Sequence, residues 1–375
     1  MSKINLFSNQ ELDRYARHFA IPEFGIEAQE KLKKSRVLVV GAGGLGSPVL
    51  LYLAAAGVGH LGIVEFDRVD DSNLQRQVLY TTQDVGQSKA KAAAERLQAL
   101  NPFIKITLHE TRLTSENALE IISQYDIVAD GTDNFPTRYL VNDACVLAGK
   151  VNVYASIFQF EGQVAVFNFL QKDGTRSPNY RDLFPSPPPP GMIPDCAEGG
   201  VLGVLPGIIG SMQASEVIKI ITGFGEPLVG RFFMMDVKSF TMRTLKIQRN
   251  AALSITELID YEVFCGVTAS TTQEGVKDIS AEKLKKMIDE QASFQLIDVR
   301  QPYEHEIFNI GGTLLPSDKI LDSQSDIATD KIVILYCRSG ARSSQAIQRL
   351  QALGDFHNLY NLKGGILAWQ QMITI

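Results

Sequence analysis

The segment RVLVVGAGGLGSPVLLYLAAAGVGHLGIVEFD, residues 36–67, restricts the possible folds more than any other part of the chain. An apolar run typical of a strand leads into a glycine-rich turn, an apolar helical stretch follows, and a second strand-like run ends in the acids Glu65 and Asp67. This is the order of a βαβ unit, in which glycines let the backbone approach a phosphate and a carboxylate after the second strand can bind ribose hydroxyls. By itself the segment predicts a Rossmann-like nucleotide-binding domain, with NAD as the first candidate ligand and an unliganded tight turn as the alternative.

The rest of the chain continues the α/β pattern and then repeats it in a second domain. NVYASIFQFEGQVAVFNF alternates like a hairpin and predicts antiparallel strands, whereas FPSPPPPGMIPDC, residues 184–196, predicts an extended loop. GVTASTTQEGV, residues 266–276, is typical of a linker, and strand-like and helical runs alternate beyond it. We therefore predict a Rossmann-like domain with a mixed sheet over 1–265, a linker over 266–276 and a small α/β domain over 277–375.

Composition excludes several classes of protein. The net charge of −6 and the pI near 5.5 argue against a nucleic-acid-binding protein. Four cysteines are too few for a disulfide framework. This low number favours a protein of the reducing cytoplasm. The apolar stretch 199–223 contains Gln213, Glu216 and Lys219 and is interrupted by Pro206, so it predicts a buried helix rather than a membrane span.

Polar motifs after the first βαβ unit favour triphosphate chemistry over hydride transfer. DDSNLQRQVLY, residues 70–80, and VGQSKA, residues 85–90, supply Arg76 and Lys89 beyond the strand ends. An enzyme that cleaves a triphosphate uses cations because charge develops on the leaving pyrophosphate. DGTDN, residues 130–134, follows a strand and offers Asp130 and Asp133, which suit Mg²⁺.

Six motifs follow one another along the chain in the order RYARH, GAGGLG, NLQRQ, VGQSKA, DGTDN and CAEGGVLGVLPGIIGSMQASEVIK. In this order they resemble the motifs of the MoeB/ThiF/HesA enzymes, which are bacterial relatives of ubiquitin-activating enzymes. The resemblance covers roughly residues 8–250. The resemblance implies that ATP and the C-terminal Gly–Gly carboxylate of a ubiquitin-like sulfur carrier form an acyl-adenylate and pyrophosphate. This chemistry needs no protein base, because the carboxylate is already ionised; it needs alignment and neutralised charge.

The resemblance also implies roles for individual residues. Asp133 would bind Mg²⁺ together with ATP, and Asp130 would support the DGTDN loop. Arg17 would reach the phosphates of the ATP bound by the partner subunit of a homodimer. Glu65 stands where the family usually has an Asp that binds ribose. The residues expected to bind the nucleotide are Arg17, Gly41, Gly43, Gly44, Gly46, Glu65, Asn73, Arg76 and Lys89.

Relatives in this family commonly bind a structural zinc through two Cys-x-x-Cys pairs, and the chain departs from that pattern. Asn179 and Asp182 occupy the first pair, and only Cys265 remains of the second. One thiolate cannot form a tetrahedral sulfur site, so we expect no zinc. Cys265 is then a thiol without function and Cys145 a core residue. Cys196, after the proline-rich loop, is either a packing residue at a helix start or, as in some relatives, a thiol that binds the carrier.

Cys337 stands between a strand and a helix in a loop that can bind an anion. Glycine, free backbone N–H groups and two arginines form a nest suited to a thiolate or persulfide, with Cys337 as the catalytic thiol. The loop consists of Cys337, Arg338, Ser339, Gly340, Ala341 and Arg342. With LIDVRQPYEHEIFNIGGTLLP and NLKGGILAW, it resembles a rhodanese-type sulfurtransferase domain over about 276–375. Asp298 and Arg300 match a supporting pair of that family, and Asn309 replaces a frequent His.

The two resemblances together imply an adenylyltransferase and sulfurtransferase. A persulfide on Cys337 would convert the adenylated carrier to a thiocarboxylate for molybdopterin, thiamine or tRNA-thiolation pathways, with thiosulfate or a cysteine desulfurase as sulfur donor. A tethered domain raises the effective concentration of the persulfide at the adenylate. Two alternatives remain: an NAD-dependent oxidoreductase with a redox cysteine domain, and a non-catalytic rhodanese docking module.

Overall fold

The computed structural model describes residues 6–188, 199–266, 276–354 and 356–373. The chain divides into two compact units, Met1–Ala269 and Ser270–Ile375. Each unit contains its own sheet, so the two are described separately.

The N-terminal unit combines eight strands with helices on both sides of the sheet. Its strands are β1 (Arg36–Val40), β2 (His60–Val64), β3 (Lys105–His109), β4 (Ile127–Asp130), β5 (Val151–Phe158), β6 (Glu161–Phe167), β7 (Arg231–Asp236) and β8 (Thr241–Lys246). Its helices within the described residues are α1 (Asn9–Phe19), α2 (Gly25–Lys34), α3 (Gly46–Ala56), α4 (Lys89–Leu100), α5 (Ala118–Ser123), α6 (Phe135–Leu147), α7 (Tyr180–Leu183), α8 (Leu205–Thr222) and α9 (Tyr261–Phe264).

The sheet is mixed, as the sequence predicts. Its order is β3-β2-β1-β4-β5-β6-β7-β8. The pairs from β3 to β5 are parallel, and the pairs from β5 to β8 are antiparallel. Because β1 pairs with both β2 and β4, the carboxyl ends of these three strands meet at one edge. The crevice outside that edge is where open α/β sheets bind ligands.

Alternating side chains of β1 supply two separate cores. Val37 and Val39 belong to the core that contains α3 and α8, whereas Leu38 and Val40 belong to the core that contains α5 and α6. This alternation is the period of two of a strand buried on both faces. The βαβ pattern therefore generates a layered domain.

Helix α8 lies within the apolar stretch 199–223, which the sequence predicts to be a buried helix. Gln213 on this helix is fully buried, and its Nε2 donates to the carbonyl oxygens of Asp130 and Val153, each at 2.8 Å. Glu216 is also buried and accepts a hydrogen bond from the backbone N–H of Leu228. In the part of the chain that the structure describes, no helix has the length and apolar character of a membrane span.

The C-terminal unit has a five-stranded parallel sheet. Its strands are β9 (Lys277–Ile279), β10 (Phe294–Asp298), β11 (Thr313–Leu314), β12 (Ile332–Tyr336) and β13 (Leu359–Leu362), in the order β11-β10-β12-β13-β9. Its helices within the described residues are α10 (Ala281–Asp289), α11 (Pro302–Ile307), α12 (Ala341–Gln351) and α13 (Gly365–Ile373). The central strand β12 is buried from Val333 to Tyr336 and leads directly into the loop that begins at Cys337.

The start of α3 yields a prediction about the glycine turn. A Cβ at Gly46 would overlap the carbonyl oxygen of Gly41, so Gly46→Ala should destabilise the N-terminal unit by about 1–3 kcal/mol. Gly207, inside α8, has open space within 4 Å of the position that a Cβ would take, so it is the matched control. Gly207→Ala should be neutral or stabilising, by up to about 1 kcal/mol. Urea unfolding of both full-length variants measures the difference, and equal midpoints would contradict the steric argument.

Candidate functional site

The glycine turn brings the ends of β1 and β4 together. Gly41 has φ of +88°, a conformation that favours glycine. A Cβ at Gly41 would lie 3.2 Å from the carbonyl oxygen of Gly131, and a Cβ at Gly131 would lie 3.3 Å from the backbone nitrogen of Gly46. The first turn of α3 and the loop after β4 therefore lie against each other.

The N-terminus of α3 is open to an anion. Its N-cap residue is Leu45, whose apolar side chain cannot accept a hydrogen bond from the helix backbone. The first N–H groups of a helix favour negative charge, and a glycine turn allows a phosphate to approach them. The turn thus has the backbone geometry of a phosphate-binding site.

Glu65 joins the end of β2 to the glycine turn. Its buried carboxylate accepts hydrogen bonds from the backbone N–H of Ala42 at 3.0 Å and from those of Phe66 and Asp67 at 2.9 Å each. The hydroxyl of Tyr80 donates to the carbonyl of Ala42 at 2.9 Å on the other side of the turn. Glu65 therefore holds the turn in place, and only part of its hydrogen-bonding capacity remains for a ribose.

The NLQRQ segment lies beside the turn. The Arg76 side chain passes close to Gly44, because a Cβ at Gly44 would lie 3.7 Å from Arg76 Cγ. The backbone N–H of Arg76 donates to the carbonyl of Asn73 at 3.0 Å, which keeps these two predicted site residues in one turn of chain. Gln77 is buried next to Gly43, and its Oε1 has no hydrogen-bond partner among the described residues.

Lys89 begins α4 with its side chain largely buried. Its Nζ lies 3.5 Å from Asp67 Oδ2, and its backbone N–H donates to the carbonyl of Asp67 at 2.9 Å. Asp67 is joined in turn to Glu65 through its own N–H. Lys89 is thus linked to the glycine turn through Asp67 and Glu65, the two acids that follow β2.

Asp130 and Asp133 have different environments. Asp130 is fully buried, and its Oδ1 accepts from the backbone N–H of Thr132 at 3.0 Å and from its hydroxyl at 2.6 Å. Burial raises the pKa of Asp130 to about 6, although Arg138 and the Thr132 hydrogen bonds act in the opposite direction. Asp133 is exposed just before α6 and could bind a cation, whereas Asp130 supports the loop.

Arg138 is a buried cation behind this loop that the sequence analysis missed. Its Nη2 donates to the carbonyl of Thr132 at 3.3 Å and to the Ser156 hydroxyl at 3.1 Å. Its guanidinium also lies 5.4 Å from the ring centroids of Phe135 and Tyr154. Arg138 fixes the strand-end loop from inside the core; its position four residues into α6 could have suggested a contact with the preceding loop.

Arg17 lies on α1, away from the glycine turn of its own chain. Two residues earlier, the ring of Tyr15 packs against Gly57, which ends α3. The turn is at the opposite end of α3, and a helix of 11 residues is about 16 Å long. Arg17 is exposed in the single chain, so the structure does not bring it together with the other predicted phosphate ligands.

The positions expected to have lost zinc ligands form a helix cap. The side chain of Asn179 accepts from the backbone N–H of Arg181 at 2.9 Å, and Asp182 Oδ2 accepts from the N–H of Asn179 at 2.7 Å. Asp182 Oδ1 accepts from the N–H of Asn250 at 2.8 Å. Both side chains are therefore used to start α7 and to attach the segment near residue 250.

A buried ion pair joins the same region to α9. Asp143 on α6 accepts from Arg181 Nε at 2.9 Å and Nη2 at 2.7 Å, and from the Tyr261 hydroxyl at 2.8 Å. The Arg181 guanidinium also lies 4.5 Å from the ring centroid of Phe264. In the described parts of the chain, no three His, Cys, Asp or Glu side chains are grouped as metal ligands would be.

Three of the four cysteines are buried within the described residues, and two of these are inert. Burial raises the pKa of Cys265 to about 11 and raises the pKa of Cys145 well above its usual value. Both are therefore neutral thiols at physiological pH. The fourth cysteine, Cys196, lies outside the described residues.

Cys337 lies at the end of β12 with its sulfur turned into the loop. The backbone N–H of Gly340 donates to Cys337 Sγ at 3.1 Å, and the Ser343 hydroxyl lies 3.4 Å from the same atom. Gly340 has φ of +93° and is the N-cap of α12, so the loop turns directly into a helix N-terminus. This geometry suits a sulfur anion at Cys337.

One of the two arginines expected to contribute charge to the nest is paired with an acid. Arg342 forms a two-fold ion pair with Glu304 of α11, with N–O distances of 2.7 and 2.8 Å. Arg338, Ser339 and Ala341 are exposed. Part of the Arg342 charge is therefore neutralised by a residue that the sequence analysis did not select.

The supporting residues of the C-terminal unit lie behind α11. Asp298 is fully buried and binds the Arg300 guanidinium through both carboxylate oxygens, at 2.6 and 2.9 Å, and His305 Nδ1 at 2.9 Å. Asn309 donates to the carbonyl of His305 at 2.9 Å and accepts from the N–H of Gly311 at 3.0 Å. Asn309 thus closes the end of α11.

The buried carboxylate of Asp130 leads to a prediction about pH. Because its pKa in the folded protein is raised from 3.8 to about 6, folding binds a proton between these values, and the contribution of Asp130 to stability falls as pH rises from about 4 to 6. As pH rises through this window, the free energy of unfolding of the wild type should fall by up to about 3 kcal/mol relative to that of Asp130→Asn, and the difference should stay constant at higher pH. Thermal unfolding at several pH values measures the difference; a difference that is constant with pH would contradict the assignment.

Two family models match the chain. The ThiF family matches residues 15–255, and the rhodanese-like domain matches residues 280–372. The probable adenylyltransferase/sulfurtransferase MoeZ of Mycobacterium tuberculosis is 48% identical over 372 residues, which cover 98% of this chain and 94% of that protein. The sulfur carrier protein adenylyltransferase of Thermus thermophilus is 54% identical over 268 residues, which cover 70% of this chain and 99% of that protein.

A relative from an animal and a solved structure extend these matches. The adenylyltransferase and sulfurtransferase MOCS3 of Drosophila grimshawi is 42% identical over 387 residues, covering 98% of this chain and 85% of that protein. The crystal structure of E. coli MccB with ATP has a TM-score of 0.55 at 22% identity over 65% of this chain and 74% of that one, and supports the fold. The relatives' names confirm the predicted enzyme class, an adenylyltransferase combined with a sulfurtransferase. The chain belongs to the ThiF family and carries a rhodanese-like domain at residues 280–372.

Proposed function

We propose that this enzyme adenylates the C-terminal Gly–Gly carboxylate of a ubiquitin-like sulfur carrier with ATP and then converts it to a thiocarboxylate with sulfur from a Cys337 persulfide. The name of the Thermus relative, a sulfur carrier protein adenylyltransferase, supports a carrier as the substrate. The cations and acids beside the glycine turn disfavour the NAD-dependent alternative.

The observation that carries the adenylation step is the convergence of three strand ends on an open helix N-terminus. The turn over Gly41 and Gly46 fits phosphates, and Arg76 lies next to it. Lys89 Nζ lies 3.5 Å from Asp67 Oδ2, and in the proposed complex it would exchange that partner for a phosphate of ATP. In this arrangement the carrier carboxylate attacks the α-phosphorus, the bond to the bridging oxygen breaks, and pyrophosphate leaves.

The residues after β4 fit a magnesium ion bound with ATP. Asp133 is exposed at the edge of the sheet next to the glycine turn, and a carboxylate oxygen is a ligand that Mg²⁺ prefers. Mg²⁺ would supply neutralisation of the phosphate charge. Thr132, Asp130 and Arg138 would hold Asp133 in position through the hydrogen bonds of the loop.

The sulfur step uses the nest around Cys337. The terminal sulfur of Cys337–S–S⁻ attacks the acyl carbon, and AMP leaves, which forms an acyl disulfide. A second thiol, from Cys196 or from an external thiol compound, then attacks Cys337 Sγ. The acyl disulfide breaks, the thiocarboxylate leaves, and the second thiol is left in a disulfide with Cys337. An external thiol must reduce that disulfide before the next turnover. The sulfur donor would be thiosulfate or the persulfide of a cysteine desulfurase, and the product would serve molybdopterin, thiamine or tRNA-thiolation pathways in the cytoplasm.

We also propose that the enzyme contains no structural zinc. The cap formed by Asn179 and Asp182, and the ion pair of Arg181 with Asp143, occupy the region where relatives would bind the metal. Metal analysis of the purified protein should find no stoichiometric zinc, and one zinc per chain would contradict the proposal.

The division of labour between the two units gives the main test. Asp133→Ala should lower carrier-dependent ATP–pyrophosphate exchange by at least about 100-fold, because charge on the leaving group is no longer neutralised. Cys337→Ala should leave this exchange nearly unchanged but abolish thiocarboxylate formation, which mass spectrometry of the carrier detects as replacement of one oxygen by sulfur.

Candidate Gly–Gly carriers should be tested with ATP for pyrophosphate exchange, and with ATP and either sulfur donor for thiocarboxylate formation. Arg76→Ala should weaken the exchange reaction. Arg342→Ala should impair thiocarboxylate formation less completely than Cys337→Ala, because the N–H of Gly340 would still support the sulfur. Full exchange by Asp133→Ala would refute the metal assignment. Thiocarboxylate formation by Cys337→Ala would refute the role of the C-terminal unit.

We propose that the enzyme is a homodimer in which Arg17 acts on the ATP of the partner subunit. This arrangement follows from the family resemblance and is supported by the position of Arg17 on α1, which packs at the end of α3 remote from the glycine turn. An exposed arginine of this kind stabilises charge on a phosphate when a neighbouring subunit supplies it.

Mixed dimers test this arrangement. Arg17→Ala and Asp133→Ala should each be inactive in exchange alone. After dissociation and reassociation together, half of the dimers should pair one variant with the other and contain one intact site, which restores about a quarter of the wild-type activity. Light scattering confirms dimer formation in each sample. If mixing restores no activity while dimers form, Arg17 acts within its own chain or not at all.

A further inference from the structure

A chain of three hydrogen bonds runs from the surface of the C-terminal unit to the sulfur of Cys337. Asn361 Nδ2 donates to Asp278 Oδ1 at 2.9 Å, and the Ser343 hydroxyl lies 2.7 Å from Asn361 Oδ1. The same hydroxyl oxygen lies 3.4 Å from Cys337 Sγ. Ser343 and Asn361 are buried, and Asp278 is exposed. None of these three side chains belongs to the loop of residues 337–342.

The register of the sheet determines which way the Asn361 amide faces. Asn361 on β13 is paired with Asp278 on β9, so their side chains are neighbours on one face. A carboxylate oxygen accepts hydrogen bonds and cannot donate them, so the amide nitrogen must face Asp278. The amide oxygen is therefore turned toward Ser343, where it acts as an acceptor.

Ser343 has more possible acceptors than protons. Its hydroxyl lies near Asn361 Oδ1 at 2.7 Å, the carbonyl of Gly340 at 3.2 Å and Cys337 Sγ at 3.4 Å, but it carries one hydrogen. The shortest of the three distances assigns that hydrogen to Asn361. A lone pair of the Ser343 oxygen then faces Cys337, where it accepts a hydrogen bond from a thiol but repels a thiolate.

We propose that Ser343 is a positioning residue whose hydroxyl switches between Asn361 and Cys337 and so controls how readily Cys337 reacts; this inference rests on the sulfur-transfer function proposed above. With the proton on Asn361, Ser343 favours the thiol at rest. When Cys337 ionises, the hydroxyl rotates and donates to the sulfur beside the N–H of Gly340. Asn361 competes with the sulfur anion for one proton, and Asp278 holds Asn361 in the competing orientation.

The switch matches the proton balance of sulfur loading. With a persulfide donor, a bond forms between Cys337 Sγ and the donor's terminal sulfur, the donor's S–S bond breaks, and the proton of Cys337 ends on the departing thiolate. The products are Cys337–S–S⁻ and a thiol. The Ser343 hydroxyl keeps its own proton and only rotates. It can therefore stabilise the sulfur anion by a hydrogen bond as the proton of Cys337 departs, and the step needs no further reactant.

Alkylation of Cys337 tests the inference without ATP, carrier or sulfur donor, so it does not depend on the success of the proposed function. The reduced full-length protein is treated with iodoacetamide at neutral pH, and labelling of the Cys337 peptide is followed by mass spectrometry. Asn361→Ala frees the Ser343 proton for the sulfur and should raise the alkylation rate about three- to tenfold. Ser343→Ala should not raise it.

The double variant separates a switch from a general loosening of the loop. If Asn361 acts through the Ser343 hydroxyl, Asn361→Ala should have no effect on alkylation once Ser343→Ala is present. An equal increase in both backgrounds would overturn the proposal, because access to the sulfur would then have changed without the hydroxyl. A decrease, or no change, in the Asn361→Ala single variant would overturn it as well.

A surface variant keeps the test valid if Asn361→Ala does not fold. Asp278→Ala removes the acceptor that orients the Asn361 amide, so it should raise the alkylation rate in the same direction but by a smaller factor. Asp289→Ala, in an exposed pair with Lys285 on α10, is the matched control and should leave alkylation unchanged. Equal rates for Asp278→Ala, Asp289→Ala and the wild type would contradict the role of the hydrogen-bond chain.

Discussion

The close approach of residue 46 to the carbonyl of residue 41 is the constraint on which the N-terminal unit depends. Since no side chain fits between them, the turn of residues 41–45 after β1 folds back tightly and α3 starts against it, at the crevice outside the sheet. The same approach leaves Gly131 within reach of both glycines, which brings the loop after β4 to the turn. Glu65 adds the end of β2 through the N–H of Ala42. One steric requirement thereby assembles groups from three strands.

The C-terminal unit surrounds the sulfur of Cys337 with the same kind of backbone arrangement. A buried central strand ends in a short loop, a glycine with positive φ reverses the backbone, and a helix begins at once. A second close approach holds the loop from below, because a Cβ at Gly365 would overlap the carbonyl oxygen of Cys337. The N–H of Ile366 donates to that same carbonyl at 2.9 Å. Both units thus use a strand, a turn and a helix N-terminus to receive negative charge.

The sequence predicted the fold class and the mixed sheet because strand periodicity and glycine turns are local signals. It placed the predicted hairpin where β5 and β6 pair in antiparallel register. The short strands β9, β11 and β13 were missed, because two to four residues carry too little periodicity, and their pairing depends on distant neighbours. Residues 20–24, which include Pro22, separate α1 from α2, and Gly25 at the start of α2 has φ of +58°.

Local motifs predicted the candidate site residues that lie next to the turns, and they missed the partners from elsewhere in the chain. Glu304 lies 38 residues from Arg342, and Asn361 lies 18 residues from Ser343. Arg138 is near DGTDN in sequence, but its role requires burial against Ser156, which only the folded sheet creates. A local motif therefore indicates where the backbone can bind a ligand. The charged and polar side chains that modify the reactivity of such a site come from distant parts of the chain and are known only from the folded structure.

The ion pair of Arg181 with Asp143 determines the kind of atoms that hold α7 in place. It joins α7, which precedes the proline-rich segment of residues 184–196, to α6 and, through Tyr261, to α9. All of these links are made by nitrogen and oxygen atoms, which a chelator cannot extract and an oxidant does not convert to disulfides. The attachment of α7 to α6 and α9 therefore uses an ion pair and hydrogen bonds, which neither a chelator nor an oxidant of thiols removes directly.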